Sequence, residues 1–117
     1  MRLEKIILIG SKIPASLNTI FQGANFSVTN VSSGKIAVSR AQREMFDAAI
    51  LISTGEEMDL AETVFNLRDI NDSMELIILS DQKNAIKSVV PKKTLAGLVS
   101  HATVMTTHEL KKHFNSF

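Results

Sequence analysis

The chain has 117 residues, a length that suits one domain spanning 1–117, and its 44% hydrophobic and 21% charged residues allow a buried core. A net charge of +1, from 13 basic and 12 acidic residues, provides no concentrated basic patch of the kind that nucleic-acid and anionic-membrane surfaces need; the most basic run, Lys92–Lys93, is a pair. Cysteine is absent, which excludes disulfides, thiolate catalysis and cysteine metal sites.

The first element in chain order is the apolar run "KIILIG" from Lys5. Its strongest stretch, Ile6 to Ile9, suits a buried strand and is too short for a signal-peptide core or a membrane span, so a cytoplasmic protein is expected. Pro14 suits the first turn of a helix whose Ile13, Leu17 and Ile20 share a face, with Gly23 stopping it. Next, Phe26 and Val28 alternate with Ser27 and Thr29, the pattern of an edge strand with one wetter face. Ser32 or Ser33 is placed to cap a second helix with Ala37, Ala41 and Met45 at helical spacing. "DAAILIS" from Asp47 is another strand apolar without alternation, and Asp59 with Glu62 resembles a capping box ahead of the stripe Leu60, Val64, Leu67. "ELIILS" from Glu75 is a third such strand.

For the fifth strand there are two candidates, "TLAGLVS" from Thr94 and "HATVMT" from His101. The second is preferred because it runs straight into a capping box, Thr106 and Glu109, followed by Leu110, Phe114 and Phe117 at i, i+4 and i+7. Strands apolar on both faces that alternate with helices through short connections demand a parallel sheet covered on both sides. The expected fold class is therefore α/β: a three-layer α/β/α sandwich around a five-stranded parallel sheet.

Ligands of such sheets sit beyond the carboxyl ends of the strands. Those ends read Gly10-Ser11-Lys12, Ser32-Ser33, Ser53-Thr54-Gly55, Ser80-Asp81, and Ser100 or Thr106-Thr107. A hydroxyl at every end has two readings. One is helix capping; the other is a pocket of hydroxyls and helix N-termini able to hold a small anion.

Reactive constellations are scarce. Glu56, Glu57 and Asp59 on one turn suit a solvated helix start better than a metal cluster. His101, His108 and His113 have no ligand spacing, and His108 and His113 fall on different helix faces, as surface residues would. Ser53 lacks the Gly-x-Ser-x-Gly context of a nucleophile, and Gly10-Ser11-Lys12 is too short and glycine-poor for a phosphate loop. No catalytic residue, metal ligand or cofactor is expected, and the chain does not read as an enzyme.

The strand alternation and several local signals resemble the receiver domain of bacterial two-component response regulators, a CheY-like, flavodoxin-like fold, which implies strand order 2-1-3-4-5. "FDAAILISTGEEMD" is similar to the stretch around that family's phosphorylated aspartate. Asp47 stands where the family has an aspartate before the third strand, and Met58-Asp59 where it has a Met-Asp pair. Counting from either side places the phosphoacceptor position at Ile52, and "ELIILS" places Ser80 at the family's conformational Ser/Thr switch. The likeness extends to about Val90 and is loose beyond it.

The departures fall on the chemistry. Where receivers carry two metal-binding acids after the first strand, this chain has Gly10 and Ser11. The phosphoacceptor is replaced by Ile52, with Ser53 and Thr54 the nearest polar side chains, and the lysine after the fifth strand has no counterpart. Phosphoryl transfer to aspartate needs a carboxylate, a divalent cation and a cation at the developing charge. All three are missing.

The resemblance thus implies a stand-alone pseudo-receiver acting by phosphorylation-independent protein–protein contact in a bacterial two-component-type pathway, with Gly10, Ser11, Ile52, Ser53, Thr54 and Ser80 as a degenerate site. The family's output surface maps to about Gln82–Phe117, where Pro91 and "KKTLAG" look like a remodelled connection. Lys111, Lys112 and His113 form a mildly basic face there, read equally as simple solvation. The expected partner is another protein, a homodimer included. The second functional reading is a sensor that binds an anion or nucleotide at the hydroxyl-lined strand ends.

Overall fold

A computed structural model describes residues 4–22, 25–52, 60–80, 97 and 100–115. Strands β1 (Glu4–Ile9), β2 (Phe26–Val31), β3 (Ala48–Ile52), β4 (Glu75–Leu79) and β5 (Thr103–Met105) alternate with helices α1 (Ala15–Ile20), α2 (Gly34–Ala41), α3 (Leu60–Ile70) and α4 (Thr107–Asn115). Gly97, Ser100 and His101 are also helical; the rest of "TLAGLVS" lies outside the described residues, and β5 falls within the preferred candidate, "HATVMT". All four strand pairings are parallel, in the order β2-β1-β3-β4-β5. The sheet therefore has the expected receiver-like topology.

The period of two along each strand sorts its side chains between two cores. Ile7, Ile9, Ala49, Leu51, Leu76 and Ile78 meet Ala37 of α2 and Leu60, Val64 and Leu67 of α3. Ile6, Leu8, Ile50, Ile52, Ile77 and Leu79 meet Leu17 and Ile20 of α1 and Leu110 and Phe114 of α4. Phe21, at the end of α1, packs edge-to-face on Phe26 and Phe114 with centroids 5.3 and 5.0 Å away, joining α1, β2 and α4. On the other face α2 and α3 touch at Gly34, where an added Cβ would stand 2.1 Å from Thr63 Oγ1. Glycine is required there by proximity, not by backbone angle.

Asp47 closes the amino ends of the central strands. Its carboxylate accepts from Lys5 N at 2.8 Å, its N–H donates to Lys5 O, and its carbonyl accepts from Glu75 N at 3.0 Å. Ser33 caps α2 by accepting from Ile36 N, and Thr106 and Glu109 form the reciprocal box that opens α4.

Three expectations are corrected. Met45 lies beyond the end of α2 and is 73% exposed, because the chain leaves the helix after Ala41 and dips inward only at Phe46. Val28 is the exposed residue of the β2 alternation while Ser27 and Thr29 are half-buried, so the wetter face is the opposite one. Pro14 takes the N-cap position in extended conformation (ψ 141°) instead of the first helical turn. Gly23, Asp59, Phe117 and the segment 81–96 lie outside the described residues. Among the described residues no helix is long and apolar enough to cross a membrane.

Candidate functional site

The carboxyl end of the sheet is built from the ends of β1, β3 and β4. Gly10 follows β1 directly, is buried, and donates its N–H to Val31 O at 2.9 Å, continuing the ladder to β2. Ile52 ends β3, the neighbouring strand, and is 5% exposed within the core under α1 and α4. A Cβ built on Gly10 would lie 3.1 Å from Ile52 Cβ and 3.6 Å from its Cδ1. Ser80, one residue past β4, is also 5% exposed, and its N–H donates to Met105 O at 2.9 Å, tying β4 to β5. The sheet thus brings Gly10, Ile52 and Ser80 to one end, while Ser11 and Lys12 turn out to solvent. Ser53 and Thr54, with the acids Glu56, Glu57 and Asp59, lie outside the described residues.

The described residues at this end do not fit a divalent cation. Gly10 offers no side chain, Ile52 offers hydrocarbon, and Ser11 offers a neutral exposed hydroxyl. Hard cations need several oxygen ligands, carboxylates first among them. Among the described residues no three acids or histidines cluster anywhere. Two strand-end hydroxyls, those of Ser33 and Thr106, are committed to capping α2 and α4.

The basic face on α4 divides. Lys111 and Lys112 are exposed, whereas His113 is half-buried, stacks edge-on against Phe114 and holds Glu75 through Nε2 at 2.9 Å. Only the two lysines project freely to solvent from this triplet.

Periodicity gave no hint of the interactions that lock the periphery. Arg68, near the end of α3, donates from Nη1 to Asp72 O and Met74 O at 2.7 and 3.0 Å, and from Nη2 to His101 O at 2.8 Å. One guanidinium thereby fixes the turn into β4 and the approach to β5. At the same, amino end of the sheet Glu44 pairs with Lys5 and Arg40. The hydrogen bond from Lys5, assisted by the charges of Lys5 and Arg40, holds the Glu44 carboxyl below its ordinary value of 4.5. A glutamate placed four residues after Arg40 signals the second pair in the sequence; Lys5 gives no such signal.

No protein-family model matches this sequence, and neither does any curated protein. Solved structures do match. A CheY-like response regulator receiver domain from Methanospirillum hungatei JF-1 superposes with a TM-score of 0.74 at 13% identity, covering 97% of this chain and 92% of that one. The chemotaxis response regulator CheY4 of Vibrio cholerae gives 0.72 at 18% identity, covering 97% and 98%. The receiver domain of the sensor histidine kinase PA1611 from Pseudomonas aeruginosa PAO1, with a magnesium ion coordinated in its active-site cleft, gives 0.67 at 15% identity, covering 97% and 96%. The chain has the receiver fold, from one end of the sheet to the other.

Proposed function

We propose that this protein is a pseudo-receiver: a signalling module on the receiver fold that works by protein–protein contact and without phosphorylation or catalysis. The observation that carries this reading is the packing of Ile52 against Gly10. A carboxylate at position 10 would have to begin from a Cβ already 3.1 Å from Ile52 Cβ. The two departures from the receiver pattern thus stand in contact, and they put hydrocarbon and a side-chain-free backbone, in place of carboxylates, at the ends of β1 and β3. The contact surface in this reading includes the exposed lysines of α4, Lys111 and Lys112, which suit an acidic protein surface.

The test is an amide NMR titration with Mg²⁺ and beryllium fluoride, then with inorganic phosphate alone. Silence at Gly10–Lys12, Ile52 and Ser80 is expected, together with no phosphoryl adduct by intact mass after incubation with acetyl phosphate. Saturable shifts confined to those residues would overturn the proposal in favour of an anion sensor at the strand ends.

A further inference from the structure

The two edges of the sheet are treated differently by the sequence. At one edge β5 is three residues long, and short strands are a common protection against edge pairing. At the other edge β2 runs six residues, FSVTNV, in unbroken register with β1 from Phe26 to Val31. It carries no charge, no proline and no bulge, the devices that normally keep edges apart. The charge-free stretch is wider than the strand: from Ile13 to Gly34 there is no Asp, Glu, Lys, Arg or His, in a chain where 21% of residues are charged. That stretch is α1, β2 and their connections, and α1 stands over the start of β2 through the Phe21–Phe26 contact. Depletion of charge is the compositional mark of an interface core.

We propose that this α1–β2 edge binds a second copy of the chain, β2 pairing antiparallel with its counterpart about a two-fold axis at Val28, so that the two five-stranded sheets become one. The register follows from the ladder. Asn25 O and Val31 O accept from Glu4 N and Gly10 N, so the odd-numbered residues of β2 aim their backbone groups at β1. Phe26, Val28 and Asn30 accordingly point their N–H and C=O groups outward. A two-fold axis at Val28 sets Val28 opposite Val28 and Phe26 opposite Asn30, so all three outward residues pair. An axis one residue on, at Thr29, leaves Phe26 opposite Ser32, beyond the strand. Val28, 37% exposed, supplies the apolar contact at the axis.

A second copy fits because a two-fold contact between neutral surfaces meets no like-charge repulsion and needs no complementary sequence. The strand edge is about 20 Å long, from six residues at about 3.3 Å each. A strip of that length and one strand spacing wide, about 4.8 Å, is on the order of 100 Å², well below the about 800 Å² per partner of a standard interface, so the exposed neutral face of α1 (Ser16, Asn18, Thr19) joins it and the dimer is concentration-dependent. This proposal is independent of the pseudo-receiver reading, whose contact face lies on α4.

Sedimentation equilibrium from micromolar to millimolar chain, on wild type and on Val28→Lys and Val28→Glu, tests it. Dimerisation of the wild type is expected, with at least about tenfold weaker association in each variant because like charges then oppose across the axis. An equimolar mixture of the two variants should recover the dimer. Amide exchange on the wild type gives a reading free of substitutions: Phe26, Val28 and Asn30 should gain protection with concentration while Thr29 is protected throughout. A wild type that stays monomeric at millimolar concentration, a dimer indifferent to the Val28 variants, a mixture that fails to recover, or concentration-independent exchange at Val28 each overturns the proposal.

Discussion

Gly10 and Ile52, on adjacent strands, share one packing position: a methyl group on Gly10 would sit 3.1 Å from Ile52 Cβ. Neither atom is the end of a flexible side chain, so both strands would have to shift. Gly10→Ala should therefore destabilise the protein by about 1–3 kcal/mol, the usual range for overpacking. Ile52→Ala leaves a cavity and costs about 2–5 kcal/mol alone. Because alanine at 52 keeps its own Cβ, the 3.1 Å contact persists in the double variant, whose loss should come close to the sum of the two, as urea denaturation would reveal. A double variant losing much less than the sum would mean that the Ile52 side chain beyond Cβ, and not the close approach of the two backbones, sets the crowding.

Gly34 and Thr63 make the same kind of contact between α2 and α3, more tightly. With an added Cβ 2.1 Å from Thr63 Oγ1 and 3.2 Å from its Cβ, Gly34→Ala should cost about 1–3 kcal/mol in spite of alanine's better helix propensity. Thr63→Ala in the same chain should recover part of it. Thermal melts of the four proteins decide, and a Gly34→Ala variant as stable as wild type would contradict the close approach.

Arg68 donates to three carbonyls, two in the turn before β4 and one at His101 ahead of β5. Arg68→Ala should cost about 1.5–3 kcal/mol and speed amide exchange in β5 before β1, since the approach to β5 loses its anchor at His101. Lysine, a single point donor, should restore only part of this. Exchange that rises equally in both strands would show that Arg68 stabilises the fold globally and not that approach.

Glu44 links stability to pH. Its carboxyl titrates below 4.5 in the folded chain because Lys5 and Arg40 favour the charged form. Its contribution is thus fully present above the unfolded value and is lost as pH falls through the depressed folded value. The stability gap between wild type and Glu44→Gln should be constant near neutrality and shrink on acidification below about pH 4.5. Lys5→Gln should lessen that shrinkage. A gap that widens in acid would reverse the sign and the assignment.

Lys111 and Lys112 are exposed on α4, so reversing both to glutamate should move stability by no more than about 0.5 kcal/mol. In the pseudo-receiver reading the same change weakens association with an acidic signalling partner by about tenfold or more, while Lys12→Glu at the strand ends does not. Binding indifferent to the α4 lysines but lost on Lys12→Glu would move the contact surface to the strand ends.

The sheet was legible because its cause is local. Ile6 to Ile9, Ala48 to Ile52 and Leu76 to Leu79 are apolar at every position, and only a strand covered on both faces buries such a run. The caps at Ser33 and Thr106 were legible for the same reason, since donor and acceptor lie three residues apart. Met45 misled because helical spacing continues past the point where the helix ends, and periodicity does not mark that point. At the candidate site, the sequence alone determined which groups are absent: no carboxylate stands at positions 10, 11 or 52. That Gly10 and Ile52 stand in close contact, that Arg68 reaches His101, and that Val28, not Ser27 or Thr29, faces solvent on the edge strand were decided only by the tertiary structure. Those distances depend on which strands become neighbours and in what register, and residues remote in the chain carry no local signal of that choice.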